Sequence, residues 1–199
     1  MSNTPEAERS APVDPVALLL EDHRLIGQMT DILEHYTNQL EQHSEQGRSE
    51  LVLLVTFFRE FADLAHHEKE ESILIPALVR AGMSWDAGPI EEVRKDHNLE
   101  RYLMQSLRNA SLQARQWSEH ERRHLIDIAR SFIDFMRKHM VREEALLFPA
   151  TRARLSPEGL AALGEQLSRF EQAREASGDA EITQRLAHEL TELFADASD

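Results

Sequence analysis

The sequence predicts an all-α protein, an antiparallel up-down four-helix bundle with two additional C-terminal helices. Gly and Pro are scarce, at seven each in 199 residues, and they cluster between segments whose apolar residues recur at helical spacing. Four of these segments are long and are joined by short loops, which favours antiparallel packing of neighbours. No apolar run approaches the roughly 18 residues that span a bilayer. The helices are therefore expected to pack against one another in water.

The apolar periodicity predicts helices at about 15–42, 50–80, 90–115, 119–148 and 156–176, with a sixth after residue 179. Two of the predicted starts are marked by a capping residue followed by proline, Asp14-Pro15 and Ser156-Pro157. Proline inside a helix removes a backbone donor and crowds the preceding turn, so Pro76 is expected to bend or end the second helix. The fourth helix is expected to end near Pro149.

These boundaries divide the chain into three parts. Residues 1–14 are expected to form a disordered tail, 15–152 the four-helix bundle and 153–199 a C-terminal helical extension. The two helices of the extension are expected to cap the bundle. The alternative is that they form a surface for a homodimer or another partner.

Charge and composition exclude several classes of function. The net charge is −14, and such an acidic surface disfavours nucleic acid and anionic membranes as partners. The chain has no cysteine, which excludes disulfides, thiolate zinc sites and iron–sulfur clusters. The N-terminal residues lack the basic and apolar regions of a secretory signal, so a cytoplasmic location is expected.

An internal repeat relates the first two predicted helices to the third and fourth. An Asp-His pair recurs after 74 residues, and a His-x-x-x-Glu-Glu-x-x-Leu-x-Pro motif recurs after 73. The His-x-x-x-Glu spacing alone is weak evidence because 36 of the 199 residues are acidic, but the duplicated context makes it specific. The repeated residues, each with its counterpart, are Asp22 and Asp96, His23 and His97, His66 and His139, Glu70 and Glu143, and Pro76 and Pro149.

The repeated histidines and glutamates are expected to face the bundle interior. Residues four apart share one helix face, so His66 points with Glu70, and His139 with Glu143. Apolar residues continue this face on both helices, and His23 shares the apolar face of the first helix. A buried carboxylate without a partner is costly, and a metal ion would remove that cost. Imidazole and carboxylate ligands without thiolate suit Fe, Mn, Zn or Cu.

The repeated motifs resemble the hemerythrin-like (HHE cation-binding) domain family over residues 15 to about 152. The resemblance implies a non-haem diiron centre, two Fe ions with a possible oxo bridge, inside a four-helix bundle. Glu70 and Glu143 would bridge the ions, and the histidines would be terminal ligands. The choice of iron over manganese or zinc rests on this resemblance. The metal ligands that it implies are His23, His66, Glu70, His97, His139 and Glu143.

The chain departs from the oxygen-carrying hemerythrins at two ligand positions. Arg101 stands where they have a histidine one turn after the third-helix ligand, and Glu143 lies four residues after His139 where they have an aspartate at five. The resulting set of four histidines and two carboxylates resembles the branch that repairs iron centres and handles NO. That branch usually has an additional domain with cysteine, which this sequence lacks. Fewer protein ligands leave positions for a small ligand.

Some assignments near the repeat stay open. His67 and Glu71 have the same spacing as His66 and Glu70, and the offset from the proline favours the latter pair. His67 is then expected to be a neighbour of the site or a surface residue. Glu100 is expected to be a solvated flank, with an extra carboxylate near the metals as the alternative.

Two further pairs of residues have alternatives. Asp22 and Asp96 are either acceptors for imidazole N–H groups or exposed residues. His120 and His124 lie four apart in a charged segment, which favours a solvated helix start over a second metal site.

Three functions are consistent with these patterns. The favoured one is a diiron protein that binds or senses O2, peroxide or NO. The second is an iron-centre repair or NO-reducing protein, and the third is an interaction module that responds to iron or oxygen. Peroxide- or NO-directed redox activity is conceivable for the first two, and the sequence leaves open whether the protein is an enzyme.

Overall fold

A computed structural model of the chain describes residues 13–42, 47–113 and 116–195. The elements formed by these residues are helical, which confirms the predicted all-α class. Most of the predicted tail and part of the predicted loop at 43–49 lie outside the described residues. Among those described, no helix is both long enough and apolar enough to cross a bilayer. The helices are α1 (Pro15–Gln42), α2 (48–80), α3 (Gly88–Ser111), α4 (119–154), α5 (Pro157–Ser177) and α6 (Asp179–Ala195).

Helices α2 and α4 change between α- and π-helical geometry along their length. In α2, α-helical Arg48–Phe57 and Ile75–Arg80 flank π-helical Phe58–His67 and Glu70–Leu74. In α4, π-helical Glu143–Leu147 separates α-helical Glu119–Arg142 from Phe148–Arg154. A π turn closes its hydrogen bonds over five residues instead of four, and such turns often occur at functional sites.

The π turns explain why the prolines do not end these helices. Pro76 and Pro149 each lie in the first turn of the α-helical segment that follows a π segment. The wider turn makes room for the proline ring and for its missing N–H. The prediction that the fourth helix ends near Pro149 is therefore wrong, because α4 continues to Arg154.

The predicted helix starts are confirmed by their caps. The Val16 N–H donates to Oδ1 of Asp14 over 2.9 Å, and the Gly159 N–H donates to Oγ of Ser156 over 3.2 Å. Gly178 adopts a left-handed backbone with φ of 87°, which ends α5 and allows the immediate turn into α6.

Two apolar clusters lie on either side of a band of polar side chains. Core A includes Ile26, Ala62, Met104 and Met136, and core B includes Leu19, Leu74, Val93 and Leu147. On each of α1 to α4, a histidine lies between a residue of core A and one of core B. Core B comes first along α1 and α3, whereas core A comes first along α2 and α4. The histidines of this band are His23, His66, His97 and His139.

The C-terminal extension packs onto both cores. Leu163 and Leu167 of α5 belong to core B, and Leu190 and Phe194 of α6 belong to core A. The close approach of α5 to the start of the chain needs a glycine, because a Cβ on Gly164 would lie 2.3 Å from the carbonyl oxygen of Val13.

Candidate metal centre

The structure brings all six predicted ligand residues together in the band between the two cores. Each of the six side chains is buried, and the most exposed of them, His23, retains 4% of its accessible surface. Each of the helices α1 to α4 contributes a histidine, and α2 and α4 each add a glutamate one turn further along. Whether these side chains bind a metal stays a prediction, but their convergence is a fact of the fold.

The donor atoms form two groups that share one residue. One group contains His23, His66 and Glu143, and the other contains Glu70, His97, His139 and Glu143, with all ligand atoms of a group within 4.8 Å of one another. Glu143 therefore contacts histidines from both groups. Its Oε2 lies 3.1 Å from Nε2 of His23, and its Oε1 lies 3.2 Å from Nε2 of His139.

Glu70 occupies the corresponding place on α2. Its Oε2 lies 3.2 Å from Nε2 of His97 and 4.0 Å from Nε2 of His66. Both glutamates thus lie between the histidine pairs, as expected for carboxylates in the interior of a duplicated site. Glu70 is nevertheless closer to the second group than to the first.

Each of the four histidines turns its other ring nitrogen, Nδ1, to a second carboxylate further from the centre. Because a carboxylate only accepts, we assign the ring proton to Nδ1 and the lone pair to Nε2. Of the two alternatives for the repeated aspartates, the structure supports the one in which they accept from imidazole N–H groups. The pairs and their distances are His66 with Asp22 (3.0 Å), His139 with Asp96 (3.5 Å), His23 with Glu144 (2.9 Å) and His97 with Glu71 (2.6 Å).

With the ring protons on Nδ1, lone pairs and carboxylate oxygens face the centre, and no positive charge offsets them. The Nε2 atoms of His23 and His66 approach to 3.1 Å, although each carries a lone pair. Nε2 of His97 and of His139, and both carboxylate oxygens of Glu70, are buried without a hydrogen bond. A cation between these atoms would remove the repulsion and satisfy them. The donor set of imidazole nitrogen and carboxylate oxygen suits iron.

Without a metal, protons supply part of this charge. Burial opposes the charged form of His23, but hydrogen bonds and charge from Glu143 and Glu144 outweigh it and raise its pKa to about 9. The pKa of His97 is also raised, because Glu143, Glu70 and Glu71 outweigh burial. Burial favours the neutral form of Glu143, yet the neighbouring histidines lower its pKa well below the ordinary value.

Basic residues surround the outer aspartates. Nζ of Lys69 lies 2.7 Å from Asp22 and also pairs with Glu171 of α5. Arg142, at the equivalent position of the repeat, bonds to Asp96 through Nε over 2.9 Å. Lys69 is only 2% exposed. The extension therefore connects to the site through the contacts from Glu171 to Lys69 and from Lys69 to Asp22.

The favoured assignment of Glu100 is wrong, and the structure decides between the two alternatives for His67, which is a neighbour of the site. Glu100 is fully buried instead of solvated, and its Oε2 lies 3.2 Å from Nδ1 of His67. His67 is not a surface residue, because its ring is buried and stacks on His97 with centroids 3.9 Å apart. Both side chains lie between α2 and α3, where π-helical geometry turns His67 inward beside His66.

The pKa of Glu100 leads to a test in the metal-free protein. Burial, reinforced by Asp63, raises this pKa to about 8. The unfolded chain loses the proton near its ordinary value of 4.5, so unfolding becomes more favourable as the pH rises between these values. Glutamine does not titrate and has the same shape. We therefore expect Glu100→Gln to raise the free energy of unfolding relative to wild type, by up to about 1.4 kcal/mol for each pH unit in this window.

Urea unfolding of chelator-treated protein between pH 5 and 8 measures this difference. Glu92→Gln, on the exposed face of the same helix, is the matched control and should show no such trend. A difference between Glu100→Gln and wild type that does not change with pH would contradict the expectation.

Sequence reasoning did not assign the outer glutamates. Glu71 was considered only as an alternative ligand, and Glu144 only as a neighbour of Glu143, yet each accepts from an inner histidine of the other half of the repeat. The repeated Glu-Glu pair was the available signal. Arg101 donates to Glu71 over 2.9 Å and to Asp63 over 2.7 Å, so it holds outer carboxylates in place.

One of three comparisons with known proteins found a match, and it agrees with this geometry. Neither a search of curated proteins nor a search of solved structures returned a match. The family model described as the hemerythrin HHE cation-binding domain matches residues 14–151, which contain the whole band of histidines and glutamates. The chain therefore belongs to the hemerythrin HHE cation-binding domain family.

Proposed function

We propose that this chain is a non-haem diiron protein that binds or senses a small ligand, O2, peroxide or NO. The observation that carries the proposal is the position of Glu143 in both groups of buried donor atoms. Two neighbouring ions would both be held by Glu143, whose negative charge would offset part of theirs. An isolated mononuclear site would have no use for the second pair of histidines.

In this proposal the histidines divide into two pairs. His23 and His66 would hold one ion. His97 and His139 would hold the other, and both glutamates would contribute to the pair of ions. Iron bound there supplies a redox-active centre that can accept a small ligand. The protein contributes the outer carboxylates, which keep each Nδ1 protonated and each Nε2 directed inward, and the two cores, which limit water.

The order of the cores supports the antiparallel four-helix bundle that the proposal assumes. The histidine of each helix is preceded by core B on α1 and α3 and by core A on α2 and α4. If neighbouring helices run in opposite directions, the core A residues of all four helices lie at one end of the bundle and the core B residues at the other. Four histidines would then meet at one level of the bundle.

A surface cavity supports access for a small ligand. His23 and Glu144 line it together with Met140 and Arg137. It therefore approaches the site from the side of the first histidine pair, and its walls combine apolar and charged groups. The side chain of His23 is the nearest part of the proposed centre to this opening.

Metal content and optical absorption test the proposal. Protein purified without added metal should contain near two irons per chain by mass spectrometry. Its absorption should change when the reduced protein meets air and again when azide is added. Protein without metal, or with colourless zinc alone, would overturn the diiron proposal and leave the fold intact.

A further inference from the structure

One polar cluster of the site has no counterpart in the repeat. It lies between α2 and α3 and combines two carboxylates with one imidazole, whose ligand atoms lie within 4.8 Å of one another. The inner histidines, the glutamates and the outer carboxylates are all duplicated. In the other half of the chain, the positions of this cluster hold apolar residues instead. The cluster and its counterparts are Asp63 with Met136, His67 with Met140, and Glu100 with Ile26.

His67 resembles the four inner histidines in having a carboxylate beside its Nδ1 and a buried Nε2. Oε2 of Glu100 lies 3.2 Å from its Nδ1, although neither ring nitrogen of His67 and neither carboxylate oxygen of Glu100 makes a hydrogen bond. Nε2 of His67 is thus buried without a hydrogen bond, as is Nε2 of His97 and His139. A ring nitrogen of His67 lies within 4.8 Å of ligand nitrogens of both these histidines. His67 and Glu100 are each completely buried.

The cost of this arrangement argues for a ligand. His67 and Glu100 are buried polar side chains without hydrogen bonds, whereas the equivalent positions of the repeat hold apolar residues, the partly buried Met140 and the buried Ile26. Apolar residues at the positions of His67 and Glu100 would serve packing equally well. A metal ion bound by the imidazole would satisfy His67, and Glu100 would orient it as the other outer carboxylates orient their histidines.

We propose that His67 is a fifth imidazole ligand, belonging to the metal position held by His97 and His139 and oriented by Glu100. This inference rests on the proposed metal centre. A fifth imidazole would make the two metal positions unequal, because Met140 occupies the equivalent place beside the position of His23 and His66. The position with fewer protein ligands is then also the one beside the surface cavity, so an external ligand would bind there.

Titration of the metal-free protein with Co²⁺, in competition with a chelator, tests this inference through absorption rather than activity. Wild type should bind two ions with unequal affinities. His67→Met, which installs the residue of the other half, should weaken one step by about 10–100-fold and leave the other unchanged. Glu100→Gln retains the imidazole and should weaken the same step by less. His120→Ala is the control, because it removes an exposed imidazole and should change neither step.

The outcomes separate this inference from the proposed function. If the wild-type chain binds no Co²⁺, the proposed metal centre itself is refuted. Two ions bound with unchanged affinities in both His67→Met and Glu100→Gln would refute only the fifth ligand. Three ions per wild-type chain, with the third lost in His67→Met, would also refute it, since Asp63, His67 and Glu100 would then hold a separate ion. Circular dichroism of each variant verifies folding, and Glu100→Gln decides if His67→Met does not fold.

Discussion

In the proposed diiron centre, replacing Glu143 by alanine is expected to abolish binding of both ions. Its two oxygens contact His23 on one side and His139 on the other, and Oε1 also lies 3.6 Å from Nε2 of His97. Without the carboxylate, the four imidazoles would face two cations with only Glu70 to offset their charge. Ions of like charge in a buried site repel strongly, so the loss should affect the pair rather than one ion.

The adjacent glutamate is the matched control. Glu144 accepts a hydrogen bond from Nδ1 of His23, and about half of its side chain is exposed. Glu144→Gln should therefore retain both ions and bind them about 10–100-fold more weakly, the usual effect of losing an outer hydrogen-bond partner. Anaerobic dialysis against Fe²⁺ followed by mass spectrometry measures both variants. Two irons retained in a folded Glu143→Ala protein would contradict the shared role of this carboxylate.

The positions of the inner six residues could be predicted because two independent signals agree on them. The repeat selects His66 over His67 by its offset from Pro76, and helical spacing then puts Glu70 on the same face. Burial in the structure confirms that these side chains face inward. The duplication mattered more than the spacing, since an acidic residue four places after a histidine is common in so acidic a chain.

The surroundings of the site could not be predicted by the same means. Helical periodicity assumes 3.6 residues per turn, whereas His67 belongs to a π-helical segment in which successive residues face different directions than in an α-helix. Glu100 lies on the buried face of α3, but a charged residue does not contribute to the apolar periodicity from which burial is predicted. Its neighbours in the interior, His67 and Asp63, come from another helix.

The partners of the outer carboxylates also depend on tertiary structure. Asp22 precedes His23 in sequence but accepts from His66, and Glu71 follows Glu70 but accepts from His97. Each outer carboxylate thus serves a histidine of a neighbouring helix. A single sequence shows which residues are repeated, but the pairing follows only once the helices are packed.

Ending the chain at Arg154 is expected to prevent stable folding. Leu163, Leu167, Leu190 and Phe194 of the extension are buried in the two cores. At roughly 1.5–3 kcal/mol for each large apolar side chain, their loss amounts to about 10 kcal/mol, which is comparable to the whole stability of an ordinary domain. The cut would also expose Lys69, whose burial depends on α5 through Glu171. Low soluble yield and reduced helical circular dichroism would meet this expectation.

Point variants on α6 separate packing from association. Leu190→Ala should lower the free energy of unfolding by about 2–5 kcal/mol, because Leu190 is completely buried in core A. Leu193→Ala removes the same atoms from a half-exposed position and should have little effect on the monomer. The homodimer through these helices stays a prediction, for which Leu193 offers an apolar contact outside the cores. The opposite result would be a truncated chain that folds cooperatively, binds two irons and sediments as a monomer, while the full chain sediments as a dimer. The extension would then serve association and not the core.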